Sequence, residues 1–205
     1  LRGVEYGAIH APLHTSVQYG YHSSADLVGV FQGSVGGFNY ARQGTPTVAA
    51  LESLVNRMEG GVGSLCFASG MGAITAVFTT LLKAGDHLIA SKFIFGNTNS
   101  LLGSLQGLGI RVSLVDATEA ANVEAARTPE TRMVFVETIA NPRTQIADLE
   151  GIAALCSAHQ WVFVVDNTIT SPWAFQPGKI GASLVINSLT KSIGGHGNAL
   201  GGAVT

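Results

Sequence analysis

Residues 131–167 read TRMVFVETIANPRTQIADLEGIAALCSAHQWVFVVDN, and this stretch decides the fold. Two short apolar runs, Met133 to Val136 and Val162 to Val165, bracket an amphipathic segment from Asp148 to His159 that is long enough for three turns of helix. A strand buried on both faces reads as a continuous apolar run, whereas a half-exposed strand alternates. The segment therefore predicts strand, helix and strand, with the two strands parallel. A carboxylate closely follows each run, Glu137 after the first and Asp166 after the second.

The same alternation extends in both directions. Further apolar runs lie at Ser64 to Ala68, His87 to Ala90, Arg111 to Val115 and Leu184 to Ile186, with helical candidates at Gly72 to Leu82, Thr98 to Leu108 and Glu119 to Ala126. Repeated βα units of this kind predict an α/β fold, a mainly parallel sheet flanked by helices. Upstream, Thr45 is a candidate N-cap with Pro46 at the first helical position, and Val48, Leu51, Leu54, Val55 and Met58 recur at helical spacing until Gly60 and Gly61. Residues 1–45 carry no sustained period and many Gly, His, Tyr and Ser, which reads as an extended N-terminal arm that needs a surface to pack on; residues 46–205 read as the domain proper.

Composition excludes several classes of function. Of 205 residues 46% are hydrophobic and 12% charged, enough apolar material for one sizeable core and too much for a disordered chain. With 11 basic against 13 acidic residues and no basic cluster, neither nucleic acid nor an anionic membrane surface is expected as a partner. No apolar run approaches the roughly 20 residues that span a bilayer. Cys66 and Cys156 sit in apolar patterns as small hydrophobes, which points to a reducing cytoplasm. No leader pattern opens the sequence, and its start at Leu1 and end at Thr205 read as a piece of a longer protein.

In open α/β sheets ligands bind beyond the carboxyl ends of the strands, where this sequence has Ser69, Ser91, Asp116, Glu137, Asp166 and Ser188. Such residues are also ordinary turn and cap residues, so the chemistry must discriminate. A Walker loop needs Gly directly before its Lys, and Thr190 stands before Lys191. A dinucleotide fingerprint needs a third glycine where Thr75 stands. Ser69-Gly70-Met71-Gly72 instead offers free N–H groups at a helix N-terminus, which suits a single phosphate, although Ser69 also reads as a plain N-cap. Ser188-Leu189-Thr190-Lys191 adds two hydroxyls and an amine, and Asp166 adds a carboxylate. Lysine for an aldehyde, a cradle for a phosphate and a carboxylate for a pyridine nitrogen form the set that pyridoxal 5'-phosphate requires. His196 lies among glycines without converging ligands, so no metal site is expected.

At these residues the sequence resembles the Cys/Met-metabolism family of pyridoxal-phosphate enzymes. The resemblance is carried by Tyr40-Ala41-Arg42, Ala68-Ser69-Gly70-Met71-Gly72-Ala73-Ile74, Glu137-Thr138-Ile139-Ala140-Asn141-Pro142, Val165-Asp166-Asn167-Thr168 and the run Ser188 to Gly197. It implies an aspartate-aminotransferase-like large domain (fold type I) whose smaller C-terminal domain, with the arginine for the substrate carboxylate, lies outside these residues. It further implies that Lys191 binds the cofactor aldehyde and acts catalytically. Gly70 and Met71 would give N–H groups to the phosphate with Ser188 and Thr190 adding hydroxyls, Asp166 would pair with the ring nitrogen, and Asn141 would lie near the phenolic oxygen and the substrate carboxylate. Ser69, Phe95 and Thr168 would also belong to the cofactor-binding set. Tyr40 and Arg42 would reach the phosphate of a neighbouring subunit in a homodimer or homotetramer. Two positions depart from the family pattern: Phe95 replaces a ring-stacking Tyr, and Asn97 stands where methionine γ-lyases carry Cys. The expected reaction is γ-replacement on an activated homoserine, of the O-acetylhomoserine sulfhydrylase or cystathionine γ-synthase kind. A lyase acting on methionine or cystathionine, and a non-catalytic fragment, are the alternatives.

Overall fold

The computed structural model describes residue 9 and residues 11–205; residues 1–8 and His10 of the arm lie outside the described residues. The chain divides into two compact units, Leu1–Leu54 and Val55–Thr205. Within the first unit, Ser24–Phe31 forms a two-turn helix, α1, started by the Ser23 side chain, which accepts from the Asp26 N–H. Two turns are too short to show as a period, which is why the sequence reading passed over it. Pro46–Glu59 forms α2, whose first turn is capped by Thr45 Oγ1 accepting from the Val48 N–H at 3.1 Å, as the Thr-Pro pair predicts. Gly60, at φ +71°, ends it in a conformation that costs glycine little.

The second unit is built on a sheet of β1 Leu65–Phe67, β2 His87–Ser91, β3 Arg111–Val115, β4 Thr131–Glu137, β5 Val162–Asp166, β6 Leu184–Asn187 and β7 Gly202–Val204, in the order β1-β7-β6-β5-β4-β2-β3. The pairings from β3 through β2, β4 and β5 to β6 are parallel, and β7 runs antiparallel between β6 and β1. The sheet is thus mainly parallel, as read from the apolar runs. Strand β7 was not foreseen, because three residues inside a Gly-rich run carry no period.

Four predicted helices appear close to their expected bounds: α3 Gly70–Leu81, α4 Gly96–Gly107, α5 Ala120–Ala125 and α6 Leu149–His159. A short helix, α7 Ser171–Ala174, and a 3-10 turn at Pro177–Ile180 follow β5. The continuous apolar runs are explained by covering on both faces. Met133 and Phe135 of β4, with Val164 and Ile186, pack under Ile74 and Phe78 of α3 and Leu102 and Leu105 of α4. Val134, Val136, Phe163 and Val165 point the other way, onto Val123 of α5 and Ile152 and Cys156 of α6. Asp148 joins the two helices on that face: Oδ1 accepts from the Gly151 N–H at 3.0 Å and Oδ2 from the Ala120 N–H at 3.1 Å. Burial pushes the Cys156 thiol up to about 12, consistent with its reading as a core hydrophobe.

Phe135 is fully buried and meets Phe78 edge to face at 5.2 Å between ring centroids. Replacing Phe135 by Ala is expected to cost about 3–5 kcal/mol in chemical denaturation, the usual range for emptying an aromatic site in a core.

Candidate active site

Residues of one parity along β4 and β5 face α3, and that parity continues to Glu137 and Asp166 at the strand ends, which pair in register. With the turn after β6 and the first turn of α3, they line a cleft of about 400 Å³. Ser69 caps α3, its Oγ accepting from the Gly72 N–H at 3.0 Å. The N–H groups of Gly70 and Met71 lie in the first helical turn and have no intrahelical acceptor. Both residues line the cleft, and the helix start is pressed against its neighbours. A Cβ at Gly70 would stand 2.8 Å from Ser188 Cβ, and one at Gly202 of β7 would stand 2.2 Å from the Ser69 carbonyl oxygen. Gly202 was not singled out from sequence; only the strand beside α3 reveals its role.

Beyond β5 and β6, Thr168 holds two segments together. Its N–H donates to Asp166 Oδ1 at 3.0 Å, and its Oγ1 accepts from the Ser188 N–H at 2.8 Å. The Asp166 carboxyl is raised above the ordinary range by burial, with the Thr168 bonds opposing. Thr190 Oγ1 donates to the Gly201 carbonyl and accepts from the Gly201 N–H at 3.2 and 3.1 Å, so this hydroxyl anchors the Lys191 turn to the segment entering β7. Gly194 and Gly195 fold back to donate to the Leu189 and Lys191 carbonyls, which closes the turn that presents Lys191 to the cleft. His196 Nδ1 lies 3.0 Å from the Gly194 carbonyl within the same loop.

The opposite wall is organised by Glu137, which sequence reasoning noted only as a strand-end residue. Its Oε1 accepts from the Phe95 N–H at 2.6 Å and its Oε2 from the Asn141 N–H at 3.4 Å. Glu137 thereby fixes the backbone of two cleft residues, Phe95 and Asn141, on separate loops. Desolvation pushes its carboxyl up to about 7; the Phe95 bond opposes this, Asp166 adds to it, and the Asn141 bond opposes it. Phe95 exposes 43% of its surface at the mouth of the cleft, available for contact with a flat ring. The signal that could have found Glu137 is its parity with Asp166 on the next strand.

Ten of the sequence-predicted residues thus meet around one cleft: Ser69, Gly70, Met71, Phe95, Asn141, Asp166, Thr168, Ser188, Thr190 and Lys191. Tyr40 and Arg42 belong to the first unit, where the guanidinium lies 4.7 Å over the Tyr40 ring. Among the described residues no three His, Cys, Asp or Glu side chains converge as metal ligands. A helix start held so closely that positions 70 and 202 admit no side chain suits a phosphate. A buried acid beside the lysine turn suits a ring nitrogen that becomes cationic.

Fold and site together define an α/β domain whose cleft suits a phosphorylated ring cofactor. The chain belongs to the Cys/Met metabolism PLP-dependent enzymes, whose family profile matches residues 2–205, and its cofactor is pyridoxal phosphate. It is 37% identical over 200 residues to an L-methionine gamma-lyase of Pseudomonas deceptionensis, covering 97% of this chain and 50% of the relative. It is also 37% identical to the cystathionine beta-lyase MetC of Staphylococcus haemolyticus, covering 98% and 50%. Among solved structures, a putative O-acetylhomoserine (thiol)-lyase from Campylobacter jejuni, which carries N'-pyridoxyl-lysine-5'-monophosphate, matches with TM-score 0.91 and 31% identity over 96% of this chain and 49% of that one. The chain thus spans about half the length of the relatives it matches.

The raised Glu137 acid yields a pH prediction. Its folded value lies above the unfolded one of about 4.3, so the folded protein binds this proton more tightly. Stability is then fully present below about pH 4 and is lost as pH rises through about 7. Asp166 acts in the same direction. In the cofactor-free protein, Glu137→Gln is expected to remove part of this decline, of the order of 3 kcal/mol, when unfolding is measured across that pH range.

Proposed function

We propose that the protein containing this chain performs γ-replacement on an activated homoserine, with Lys191 as its catalytic residue. The observation that carries this reading is the cleft that collects Lys191, Asp166 and the first turn of α3, with Phe95 exposed at its mouth. When bound, pyridoxal phosphate supplies an electron sink for charge that develops at the substrate α-carbon. In this reading the Lys191 amine, once free, takes the α-proton at Nζ and returns protons as the reaction proceeds. The Asp166 carboxyl takes its charged form against the ring nitrogen and keeps that nitrogen protonated. The Gly70 and Met71 N–H groups and the Ser188 hydroxyl would bind the phosphate; Thr190, expected to add a second hydroxyl, instead spends that hydroxyl on Gly201 and contributes by holding the Lys191 turn. Phe95 covers one face of the ring, and Asn141 orients the substrate side.

Phe95 bears on the leaving group. A thiolate, from an acid of pKa ~8.5, benefits from protonation as it departs, whereas a carboxylate, from an acid of pKa ~4, leaves unaided. Phe95 has no proton to give. An acyl-activated homoserine is the substrate class that asks least of such a wall. The rival lyase reading is favoured by the 37% identity to relatives named as methionine and cystathionine lyases.

The chain's wider context follows the same reading. Residues 1–45, through Tyr40 and Arg42, serve the phosphate of a second subunit in a homodimer or homotetramer; residues 46–205 form the cofactor-binding domain; and the enzyme works in the cytoplasm. Among the described residues no helix is long and apolar enough to cross a membrane.

With the full-length enzyme, O-acetylhomoserine or O-succinylhomoserine plus sulfide is expected to give a thiol amino acid faster than methionine or cystathionine releases an oxo-acid. The reverse ranking would establish the lyase. Lys191→Ala is expected to abolish the visible absorbance of bound cofactor that borohydride bleaches in the wild type, and to lower turnover by several orders of magnitude. Unchanged absorbance would remove Lys191 from its assigned role.

A further inference from the structure

Behind the cleft lies a buried polar cluster that the proposed chemistry does not use. Glu59, the last residue of α2, is 4% exposed, and Asn167 and Asn187 are 0% and 1% exposed, so water cannot satisfy them. Glu59 Oε1 accepts from Asn187 Nδ2 at 2.5 Å and from Asn167 Nδ2 at 3.2 Å. Glu59 Oε2 and Asn187 Oδ1 are buried without a hydrogen-bond partner. Each is the twin of an atom already bonded across the Glu59–Asn187 pair. Two buried acceptors on facing groups, with no donor for either, form a costly arrangement that native structures avoid.

We propose that Glu59 is held as a neutral carboxylic acid in a two-bond pair with the Asn187 amide, and that this pair positions Asp166 relative to the Ser188–Lys191 turn. One proton on Oε2 supplies the missing donor: the acid O–H donates to Asn187 Oδ1 while Asn187 Nδ2 donates to Oε1, and both orphan acceptors are satisfied. A carboxylate offers no such closure, and an unpaired charge in this position would be heavily penalised. Burial is the largest influence raising the Glu59 carboxyl; the Asn187 and Asn167 bonds oppose it, and no charged partner contributes.

The placement of the amides gives the pair its consequence. Asn167 directly follows Asp166, and Asn187 directly precedes Ser188, so one side chain from α2 grips the ends of β5 and β6 together. Asn167 is itself held by the Phe175 carbonyl, which accepts from its Nδ2 at 2.8 Å, and by the Thr170 hydroxyl, which donates to its Oδ1. Thr170 in turn meets Thr138 beyond β4 at 2.8 Å. Three strand ends that carry Glu137, Asp166 and Ser188 toward the cleft are thereby tied from behind. Glu59 is a positioning residue; it lines no part of the cleft.

This inference rests on the reading above for the roles of Asp166 and Lys191, but its test separates the two. In the full-length enzyme, Glu59→Gln reproduces the neutral acid, since its amide N–H can donate to Asn187 Oδ1 while its oxygen accepts. Glu59→Met removes both functions at similar volume. Titration of apoenzyme with pyridoxal phosphate, followed by visible absorbance, is expected to give Glu59→Gln a Kd within about twofold of wild type and Glu59→Met one weaker by about tenfold or more. The wild-type minus Glu59→Gln infrared difference spectrum of the apoenzymes, in mildly alkaline buffer where Glu137 is ionised, should show a carboxylic-acid C=O stretch; the Asp166 carboxyl, common to both proteins, cancels. That band is read without cofactor and decides the protonation state even if Glu59→Met fails to fold. Absence of the band, or a Gln variant as impaired as the Met variant, would overturn the neutral acid; wild-type affinity in both variants would overturn the positioning role. Failure of the lysine assignment would show separately, as bleachable absorbance that survives Lys191→Ala.

Discussion

The first turn of α3 is pressed so closely against β7 and the turn after β6 that neither Gly70 nor Gly202 has room for a side chain. Much of the site depends on that approach. It brings the first turn of α3, whose N–H groups have no intrahelical acceptor, to the wall of the cleft at the ends of parallel strands. It also brings Ser188 and Lys191 to the same wall, because the segment that forms β7 is bonded to Thr190 on its way in. A phosphate placed there is met by donors whose positions are set by backbone packing, which leaves them little freedom to rearrange.

A second constraint is electrostatic. Asp166 and Glu137 stand side by side on adjacent strands, both desolvated and both raised above their ordinary range, and Glu59 lies buried behind them with the same tendency. Acids in such surroundings hold protons until a cation arrives. In the proposed arrangement the cofactor's ring nitrogen, once protonated, would be such a cation for Asp166. Glu137 resolves its own position differently, by accepting N–H bonds from two loops. Perturbed acids gathered at strand ends are common in functional sites, and here two of the three act mainly on the backbone around the cleft.

The apolar runs were legible because strands covered on both faces leave no alternation to misread, and β2, β4, β5 and β6 appear where those runs lie. Helices α3 and α6 were legible from their periods, and the structure adds their caps, Ser69 and Asp148. The short elements were not: α1, α7 and β7 each have too few residues for a pattern to accumulate. Within the site, Lys191, Asp166 and the Ser69–Gly72 turn could be read because each has a chemical duty that few other residue types perform. Glu59 and Gly202 could not, since their importance lies entirely in what they touch.

By itself, then, the sequence determined the strand and helix alternation, the lysine and acid that the proposed chemistry uses, and the family to which the chain belongs. These are local or compositional properties, set by side-chain chemistry and by the period of burial. Only the tertiary structure decided that Glu137 orders Phe95 and Asn141, that Thr190 is committed to Gly201, and that Glu59 grips Asn167 and Asn187. Apart from the Glu137–Asn141 bond, which spans 4 residues, each of those is a contact between segments 11 to 128 residues apart, and no pattern along the chain encodes which distant partners a folded sheet will bring together.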